Sequence, residues 1–284
     1  MNRFLLFEAG STKTTLTVLR AGNALDQAET FFLSGYNPNR PHTSFFDEID
    51  FLDLDKEDQV VFYGSGLGSK KNREKVKAYF FSNGIQEVEV EDDLLAAGRG
   101  LYGKAEGVFA ILGTGAVAGF YDGEKVLERR GGYGYLINDY GGGYELGKFL
   151  VSAWLNEAFS EEINQTFESF FDTQRDDFTT VYYQDYKSNP KDSLGKMAAV
   201  PKLIQPFRNN GDVQSILFGY FQFAFEQHIL PLSQKFRSAQ IGLVGSIAHH
   251  FQDEIEMVAV KCCLKTYKII QFPATGLLDY HKKM

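Results

Sequence analysis

Two short turns carry the residue types best suited to phosphate chemistry. The apolar run that begins at Phe4 ends in Glu8-Ala9-Gly10-Ser11-Thr12-Lys13-Thr14, and a second strand-like run begins at Thr15. Small residues let a backbone approach a phosphate closely, and backbone N–H groups and hydroxyls then bind its oxygens. A carboxylate such as Glu8 can hold a magnesium ion through water. The pattern predicts a β-hairpin with a phosphate-binding tip, and a plain hairpin with a polar tip is the alternative.

The second turn repeats this arrangement. Residues 108–121 read as an apolar strand, the small-residue turn Gly113-Thr114-Gly115-Ala116, and another strand. The turns lie about a hundred residues apart, and two similar β-turn-β units at such a spacing indicate an internal duplication. A nucleotide between the two turns would have one turn on each side of its phosphates.

Composition narrows the function classes. A chain of 284 residues forms one large domain or two of ordinary size, and a hydrophobic content of 44% supports a substantial core. The net charge of −8 argues against a general nucleic-acid-binding face, which needs clustered Lys and Arg. No apolar stretch reaches bilayer-spanning length and no secretory signal pattern is present, so we expect a cytoplasmic protein without a membrane partner. Cys262 and Cys263 are adjacent, so no disulfide framework is expected, and we place them in a buried strand.

The elements that position the turns alternate between strands and helices, which predicts α/β units. We expect an N-terminal domain over 1–104 and a C-terminal domain over 105–273, with a hinge near 103–107. Residues 160–240 look largely helical with a break at Pro201. Strands are expected at Gln240–Val244 and Glu256–Leu264, followed by a final helix within 274–284.

Four further motifs follow in order: Gly35-Tyr36-Asn37-Pro38, then Gly131-Gly132-Tyr133-Gly134-Tyr135 with Asn138-Asp139-Tyr140-Gly141-Gly142-Gly143, then Ile241-Gly242-Leu243-Val244-Gly245-Ser246-Ile247-Ala248, and Pro273-Ala274-Thr275-Gly276-Leu277. Together with the two turns they resemble the actin-like ATPase and sugar kinase superfamily. Within it, the chain is most similar to the BadF/BadG/BcrA/BcrD-type group that contains N-acetylglucosamine kinase. The resemblance covers nearly the whole chain and depends on the order and spacing of motifs that are individually weak.

The resemblance implies an α/β fold of two actin-like ATPase (ribonuclease H-like) domains with an inter-domain cleft, and a C-terminal helix that packs back on the first domain. It implies a phosphotransferase that uses ATP and Mg²⁺, with Glu8 toward the metal and Gly245 and Ser246 against the adenosine. The ATP phosphates would be bound by residues of both turns, namely Gly10, Ser11, Thr12, Lys13, Gly113, Thr114 and Gly115.

The catalytic base is expected in the segment Glu91-Asp92-Asp93. Phosphoryl transfer to a sugar hydroxyl needs a carboxylate that accepts the hydroxyl proton. A carboxylate between a strand and a helix is also ordinary N-cap material. The family places its catalytic Asp before a short apolar pair and Ala-Ala, which singles out Asp93, with Asp92 as the second choice. The resemblance assigns Asn37, Tyr133 and Asp139 to the sugar. The alternatives are ordinary turn residues for Asn37 and Asp139, and a core aromatic for Tyr133.

The chain departs from the family pattern at several positions. Glu8 replaces Asp, residues 116–118 (Ala-Val-Ala) replace a Ser-Asn-Ser-like run, Asn138 replaces Gly, and Tyr140 replaces Glu. Several of these lie near the family's sugar pocket. The sequence therefore leaves open which sugar and which hydroxyl are used, whether these substitutions preserve activity, and the oligomeric state.

The function predicted is an ATP-dependent kinase of an amino sugar, N-acetylglucosamine or a related N-acetyl hexosamine, with the small-molecule sugar as its partner and a homodimer as an option. The alternative is a catalytically degenerate sugar- or nucleotide-binding protein on the same fold. The same family includes activator ATPases of CoA dehydratases, which carry an iron–sulfur cluster between subunits. Cys262 and Cys263 offer no suitable spacing for a cluster. His249-His250 has no Cys or acidic partner at metal spacing, so we interpret it as a surface pair.

Overall fold

The computed structural model describes residues 3–10, 13–39 and 45–282. These residues fall into two compact units. Unit 1 is drawn from Met1–Glu106, Asp122–Val126 and Phe272–Met284, and unit 2 from Gly107–Tyr121 and Leu127–Gln271. In the described part of the chain, no helix is both long enough and apolar enough to cross a bilayer.

The strands are β1 (Arg3–Ala9), β2 (Lys13–Arg20), β3 (Glu29–Ser34), β4 (Gln59–Gly64), β5 (Glu87–Asp92), β6 (Gly107–Leu112), β7 (Ala116–Tyr121), β8 (Val126–Gly131), β9 (Gln240–Val244) and β10 (Lys265–Ile270). The α-helices are α1 (Lys70–Ser82), α2 (Asp93–Tyr102), α3 (Gly143–Leu155), α4 (Glu161–Phe171), α5 (Phe178–Ser188), α6 (Pro190–Ile204), α7 (Gly211–Ala224), α8 (Leu230–Phe236), α9 (Ser246–His250), α10 (Gln252–Lys261) and α11 (Ala274–Lys282).

The two sheets repeat one topology. In unit 1 the strand order is β3-β2-β1-β4-β5, and in unit 2 it is β10-β9-β6-β7-β8, which is the same order read from the opposite edge. Each unit begins with an antiparallel hairpin, β1–β2 or β6–β7, whose first strand also pairs in parallel with β4 or β9. This repetition agrees with the internal duplication that the two glycine-bearing turns indicate.

The sheet of unit 1 is covered on both faces, which explains why β1 reads as a continuous apolar run rather than an alternating one. Leu5 and Phe7 belong to a core with Val76 and Phe80 of α1. On the opposite face, Leu6 packs in a cluster that includes Ala96 of α2 and two leucines of α11.

The C-terminal helix α11 contacts α2 through two glycines. A Cβ on Gly276 would clash with the carbonyl oxygen of Gly100, and a Cβ on Gly100 would lie 2.6 Å from the Cβ of Pro273. Only residues without side chains permit so close an approach of two backbones. Packing against Gly100 within unit 1 therefore explains why the closing motif has a proline at 273 and a glycine three residues later at 276.

The core of unit 2 is rich in aromatic side chains. Trp154 of α3 is fully buried and stacks on Phe167, with ring centroids 5.2 Å apart, and on Phe171 at 6.1 Å. Helices α4–α8 account for most of residues 160–240, as the sequence predicts.

The predicted strand Glu256–Leu264 is wrong. Residues 252–261 form the helix α10, whose buried residues Ile255, Val258 and Ala259 have helical spacing, and the strand β10 follows at Lys265. Cys262 and Cys263 consequently lie after a helix rather than in a buried strand. Cys262 is half-buried and Cys263 is exposed.

The predicted break at Pro201 is also wrong, because α6 continues through it to Ile204. A proline has no N–H to donate to the carbonyl four residues earlier, which here is that of Met197. Gly147 of α3 packs directly on that carbonyl oxygen, and a Cβ there would clash with it. The proline is tolerated within a tight contact between α3 and α6.

Candidate active site

The carboxyl ends of three strands lie side by side in unit 1. In the parallel registers Ala9 of β1 pairs with Gly64 of β4, and Gly64 pairs with Asp92 of β5. The Ser65 N–H also donates to the Ala9 carbonyl oxygen over 2.9 Å. Because adjacent strands are about 4.8 Å apart, the ends of β1 and β5 are separated by roughly 10 Å. The structure therefore brings Glu8 and Asp93 to the same edge of one sheet.

Glu8 occupies an unusual environment for a carboxylate. Both of its carboxylate oxygens are buried, and neither accepts a hydrogen bond within the described residues. Burial raises the pKa of Glu8 to about 8, because the ionised form loses its hydration without gaining a donor. A divalent cation or its bound water would supply the missing partner. The donor chemistry of this site therefore fits Mg²⁺, which binds through one or two carboxylates and water.

The first glycine turn is closed by its backbone. The Gly10 N–H donates to the Lys13 carbonyl oxygen over 2.9 Å. The Lys13 ammonium lies 3.6 Å from the ring centroid of Phe32 and 5.6 Å from that of Phe272. These cation–π contacts hold the lysine head at the turn. Ser11 and Thr12, which the sequence assigns to phosphate binding, lie outside the described residues.

The two neighbouring acids at the end of β5 have different surroundings. The Asp92 carboxylate is the N-cap of α2 and accepts a hydrogen bond from the Leu95 N–H over 2.9 Å. Asp93 is the first residue of the helix and is half-buried. The capping function that the sequence left open for either acid thus falls to Asp92.

Asn37 lies against the turn that follows β4. Its Oδ1 accepts a hydrogen bond from the Asn39 N–H over 3.0 Å and would lie only 2.4 Å from a Cβ on Gly66, whose φ is +82°. Asn72 of α1 donates from Nδ2 to the Gly66 carbonyl oxygen over 2.8 Å and to Asn39 Oδ1 over 2.9 Å. Asn72 is buried, and sequence reasoning missed it because it reads as part of a solvated helix start.

The second glycine turn is enclosed by the segment that leads into α3. The Gly113 N–H donates to the Gly115 carbonyl oxygen over 3.0 Å, and the Gly113 carbonyl accepts from the Gly143 N–H over 2.7 Å. The Tyr144 N–H donates to the Thr114 carbonyl over 3.0 Å. A Cβ on Gly142 would lie 2.6 Å from the carbonyl carbon of Gly115. The turn and the start of α3 therefore form one closely packed structure.

Asp139 lies in this structure, beside Gly115. A Cβ on Gly115 would lie 2.6 Å from Asp139 Oδ2, and Asp139 Oδ1 accepts a hydrogen bond from the Gly134 N–H over 3.1 Å. Burial, with a smaller contribution from the charge of Glu145, raises the pKa of Asp139 to about 6. Strongly raised carboxyl pKa values are frequent at functional sites. The structure thus places the predicted sugar-contacting acid beside the predicted phosphate turn.

Tyr133 is not a core aromatic. Its side chain is 55% exposed, and the Arg129 guanidinium lies 5.8 Å from its ring centroid. The neighbouring Leu136 and Ile137 are also exposed. The loop therefore presents an apolar surface, which is the property that stacking on a sugar face requires.

Only a glycine fits at position 245. Its φ is +119°, and a Cβ would clash with the Leu112 carbonyl oxygen and lie 3.2 Å from the Gly113 nitrogen. Ser246 then begins α9. The predicted adenosine-binding residues are therefore directly adjacent to the second phosphate turn, within unit 2.

Several departures from the family pattern pack around one small cavity of about 10 Å³. Ala116 to Ala118 line it together with Tyr140 and His228. The Tyr140 ring stacks on His228 with centroids 6.0 Å apart. Asn138 has a buried Oδ1 without a hydrogen-bond partner among the described residues. Ala116–Ala118 and Tyr140 thus give the cavity a mainly apolar lining.

His249 and His250 are both exposed, as expected for a surface pair. In the described ranges no group of three or more His, Cys, Asp or Glu residues is arranged to hold a metal ion. A single carboxylate such as Glu8, completed by water, is a different kind of site.

The fold is shared with solved structures of sugar kinases, which confirms the predicted α/β fold class. It matches a putative N-acetylglucosamine kinase from Porphyromonas gingivalis with a TM-score of 0.85 at 23% identity, covering 99% of both chains. A putative N-acetylglucosamine kinase from Chromobacterium violaceum matches with a TM-score of 0.69 at 14% identity, covering 98% of both chains. A ROK family glucokinase from Streptomyces griseus, in complex with glucose and AMPPNP, matches with a TM-score of 0.55 at 15% identity, over 99% of this chain and 98% of that one.

One curated relative is similar in sequence. The N-acetyl-D-glucosamine kinase of Dictyostelium discoideum is 35% identical over 86 residues, which are 29% of this chain and 27% of the relative. The alignment thus spans about a quarter of that enzyme. No family model matches the chain. The BadF/BadG/BcrA/BcrD-type group, the domain bounds, the cytoplasmic location and the homodimer stay predictions.

Proposed function

We propose that the protein is an ATP-dependent kinase that phosphorylates a hydroxyl of an amino sugar, N-acetylglucosamine or a related N-acetyl hexosamine. The observation that carries this proposal is the edge of the unit 1 sheet, which holds both Asp93 and the buried carboxylate of Glu8, for which no hydrogen-bond donor is found among the described residues. The similarity to the Dictyostelium N-acetyl-D-glucosamine kinase and the fold shared with putative N-acetylglucosamine kinases support the choice of substrate.

In the proposed reaction Asp93 accepts the proton of the sugar hydroxyl. The hydroxyl oxygen forms a bond to the γ-phosphorus of ATP while the bond from that phosphorus to the ADP oxygen breaks, so the products are a sugar phosphate, ADP and a proton. The Asp92 carboxylate caps α2. The family pattern, a catalytic Asp before a short apolar pair and Ala-Ala, assigns the task of general base to Asp93.

Phosphate and metal binding are assigned to the two glycine turns and to Glu8. The backbone N–H groups and Lys13 of the first turn, and the Gly113–Gly115 turn, would bind phosphate oxygens. Glu8 would hold Mg²⁺, which when bound neutralises charge on the phosphates. Gly245 and Ser246 would lie against the adenosine, since a planar base approaches a backbone closely only where side chains are small.

Substrate recognition is assigned to Asn37, Tyr133 and Asp139. The loop of Asn37 is held by Asn72 and by the Gly66 turn, so its amide is presented in a fixed position. Asp139 is ionised above a pH of about 6 and can then accept hydrogen bonds from sugar hydroxyls. The exposed ring of Tyr133 offers a stacking surface.

The test is ADP release from Mg²⁺-ATP against a panel of N-acetylated and plain hexoses. Asp93→Asn is the decisive variant, and Asp92→Asn is the matched control. We expect turnover with one amino sugar and a loss of at least about a hundredfold in kcat for Asp93→Asn. Asp92→Asn should change kcat and stability little, because asparagine caps a helix about as well as aspartate. Equal kcat in wild type and Asp93→Asn would refute the assigned base.

The second candidate is a catalytically degenerate protein that binds sugar or nucleotide. The apolar lining by Ala116–Ala118 and Tyr140, in place of polar family residues, favours it. Thermal stabilisation by a sugar without ADP release from any member of the panel would select this candidate over the kinase.

A further inference from the structure

The side chain of Tyr220 on α7 reaches the segment that carries Asp139. Tyr220 is fully buried, its hydroxyl donates to the Gly142 carbonyl oxygen over 2.7 Å, and it accepts from the Gly141 N–H over 2.8 Å. We propose that Tyr220 is a positioning residue that fixes the segment 139–143 against the second phosphate turn, a role that rests on the proposed kinase function.

The segment needs such a support because of its composition. Residues 141–143 are three consecutive glycines, and Gly141 has a φ of +107°. Glycine runs lose much conformational entropy when they are ordered. The Gly142 N–H donates back to the Asp139 carbonyl over 2.9 Å, but the Gly141 N–H and the Gly142 carbonyl are bonded by the Tyr220 hydroxyl. Without that hydroxyl the Gly141 N–H would be buried with no partner among the described residues, which is unfavourable. The Gly142 carbonyl would keep the hydrogen bond that it accepts from the Leu146 N–H over 3.0 Å.

A displacement of this segment would reach the predicted site at two points. Gly142 lies against the backbone of Gly115, and the Gly143 N–H donates to the Gly113 carbonyl. The carboxylate of Asp139 also touches Gly115. The Tyr220 hydroxyl, on a helix distant in sequence, therefore helps to set the position of both the second phosphate turn and Asp139.

The hydroxyl, rather than the ring, carries this role. The Tyr220 ring packs on Phe149 and Phe221, with centroids 5.1 and 5.4 Å apart, and a phenylalanine ring would make the same contacts. Burial also keeps the hydroxyl neutral by raising its pKa, so the group can donate one hydrogen bond and accept another.

The experiment compares Tyr220→Phe with Tyr182→Phe. Tyr182 is the matched control because its hydroxyl donates to the Ser193 carbonyl over 3.2 Å, within the helices of the same unit and outside the site. Hydrogen exchange of the peptide covering 139–145 measures how often the amides of the segment open, and it does not require activity. We expect exchange at least about tenfold faster in Tyr220→Phe and unchanged in Tyr182→Phe.

Kinetics then test the role in the reaction. We expect kcat to fall roughly tenfold or more in Tyr220→Phe with a smaller change in KM for the sugar, because misplaced groups lose mainly transition-state interactions. The acid limb of the pH profile, set by Asp139, should also move in Tyr220→Phe alone. A kcat and pH profile equal to those of Tyr182→Phe would overturn the positioning role in the reaction. Unchanged hydrogen exchange would show that the Tyr220 hydroxyl does not hold the segment 139–143.

The two proposals fail separately. If the wild-type protein turns over no sugar, the kinase proposal fails. Hydrogen exchange alone, with and without Mg²⁺-ATP, then decides whether the Tyr220 hydroxyl holds the segment 139–143. Faster exchange of 139–145 in Tyr220→Phe, and loss of any nucleotide protection of that peptide, would support it, and exchange equal to wild type would reject it.

Discussion

Replacing Glu8 by glutamine tests whether the first turn is built around a cation. Burial raises the pKa of Glu8 from 4.5 to about 8. Between these values the folded protein holds a proton that the unfolded chain has released, so stability falls as the pH rises through this window. At 1.36 kcal/mol per pKa unit the ionised group costs the folded state about 5 kcal/mol, of which about 4 kcal/mol is lost between pH 5 and pH 9.

Glu8→Gln keeps the shape of the side chain and removes the titration. We expect wild type to lose about 4 kcal/mol more stability than the variant between pH 5 and pH 9 without Mg²⁺. At pH 9, millimolar Mg²⁺ should stabilise the wild type by binding the ionised carboxylate, and it should leave the variant unchanged.

The assay must report on unit 1. The single tryptophan, Trp154, lies in unit 2, so its fluorescence follows the other unit. Hydrogen exchange of the β1 amides in a urea series measures the required free energy, and each variant is compared with wild type at the same pH. Glu87→Gln is the control, because Glu87 is an exposed carboxylate in the same sheet.

A stability difference between wild type and Glu8→Gln that does not change from pH 5 to pH 9 would refute the reasoning. It would mean that the carboxylate is hydrated or paired in solution. A magnesium response that persists in Glu8→Gln would place the metal on other groups.

Two further predictions concern the site itself. Because the pKa of Asp139 is about 6, and the ionised form binds the sugar, kcat/KM should be about tenfold lower at pH 5 than on its plateau; an Asp139→Asn variant that keeps this acid limb would contradict the assignment. Phe32→Leu should raise KM for ATP about two- to fivefold by releasing the Lys13 ammonium, from a cation–π contribution of about 0.5–1 kcal/mol. Phe51→Leu, which removes another exposed aromatic of unit 1, should leave KM unchanged, and equal effects of both variants would argue against a role for Phe32.

The strands and the two turns were predictable because local signals agree there. The apolar runs of β1, β6 and β9 each end in small residues, so pattern and turn chemistry point the same way. The sequence predicts a strand in place of α10 because Val258, Ala259 and Val260 form a short apolar run that only Lys261 separates from the two cysteines. The burial of Ile255, Val258 and Ala259, which have helical spacing, shows that the helical period applies here and not the alternating period of a strand.

The supporting residues of the site were not predictable from the sequence. Tyr220 lies 78 residues from the Gly142 carbonyl to which it donates, and Asn72 lies 33 residues from Asn39. No local pattern marks such a pair, since the partners meet only after the helices have packed on their sheets. The spacing of the motifs was enough to find the candidate catalytic and binding residues. The tertiary structure was needed to find the Tyr220 hydroxyl and the Asn72 amide that support them.

The packing of α11 has a consequence for the order of events during synthesis. β1 is synthesised more than 260 residues before α11, yet its Leu6 face is covered by Leu277 and Leu278 of that helix. At a synthesis rate of roughly 5–20 residues per second, tens of seconds pass between the synthesis of this apolar face and the synthesis of α11. The Leu6 face of the unit 1 sheet therefore stays uncovered for most of the time that this chain takes to be synthesised, so nascent chains should depend on chaperones at this face.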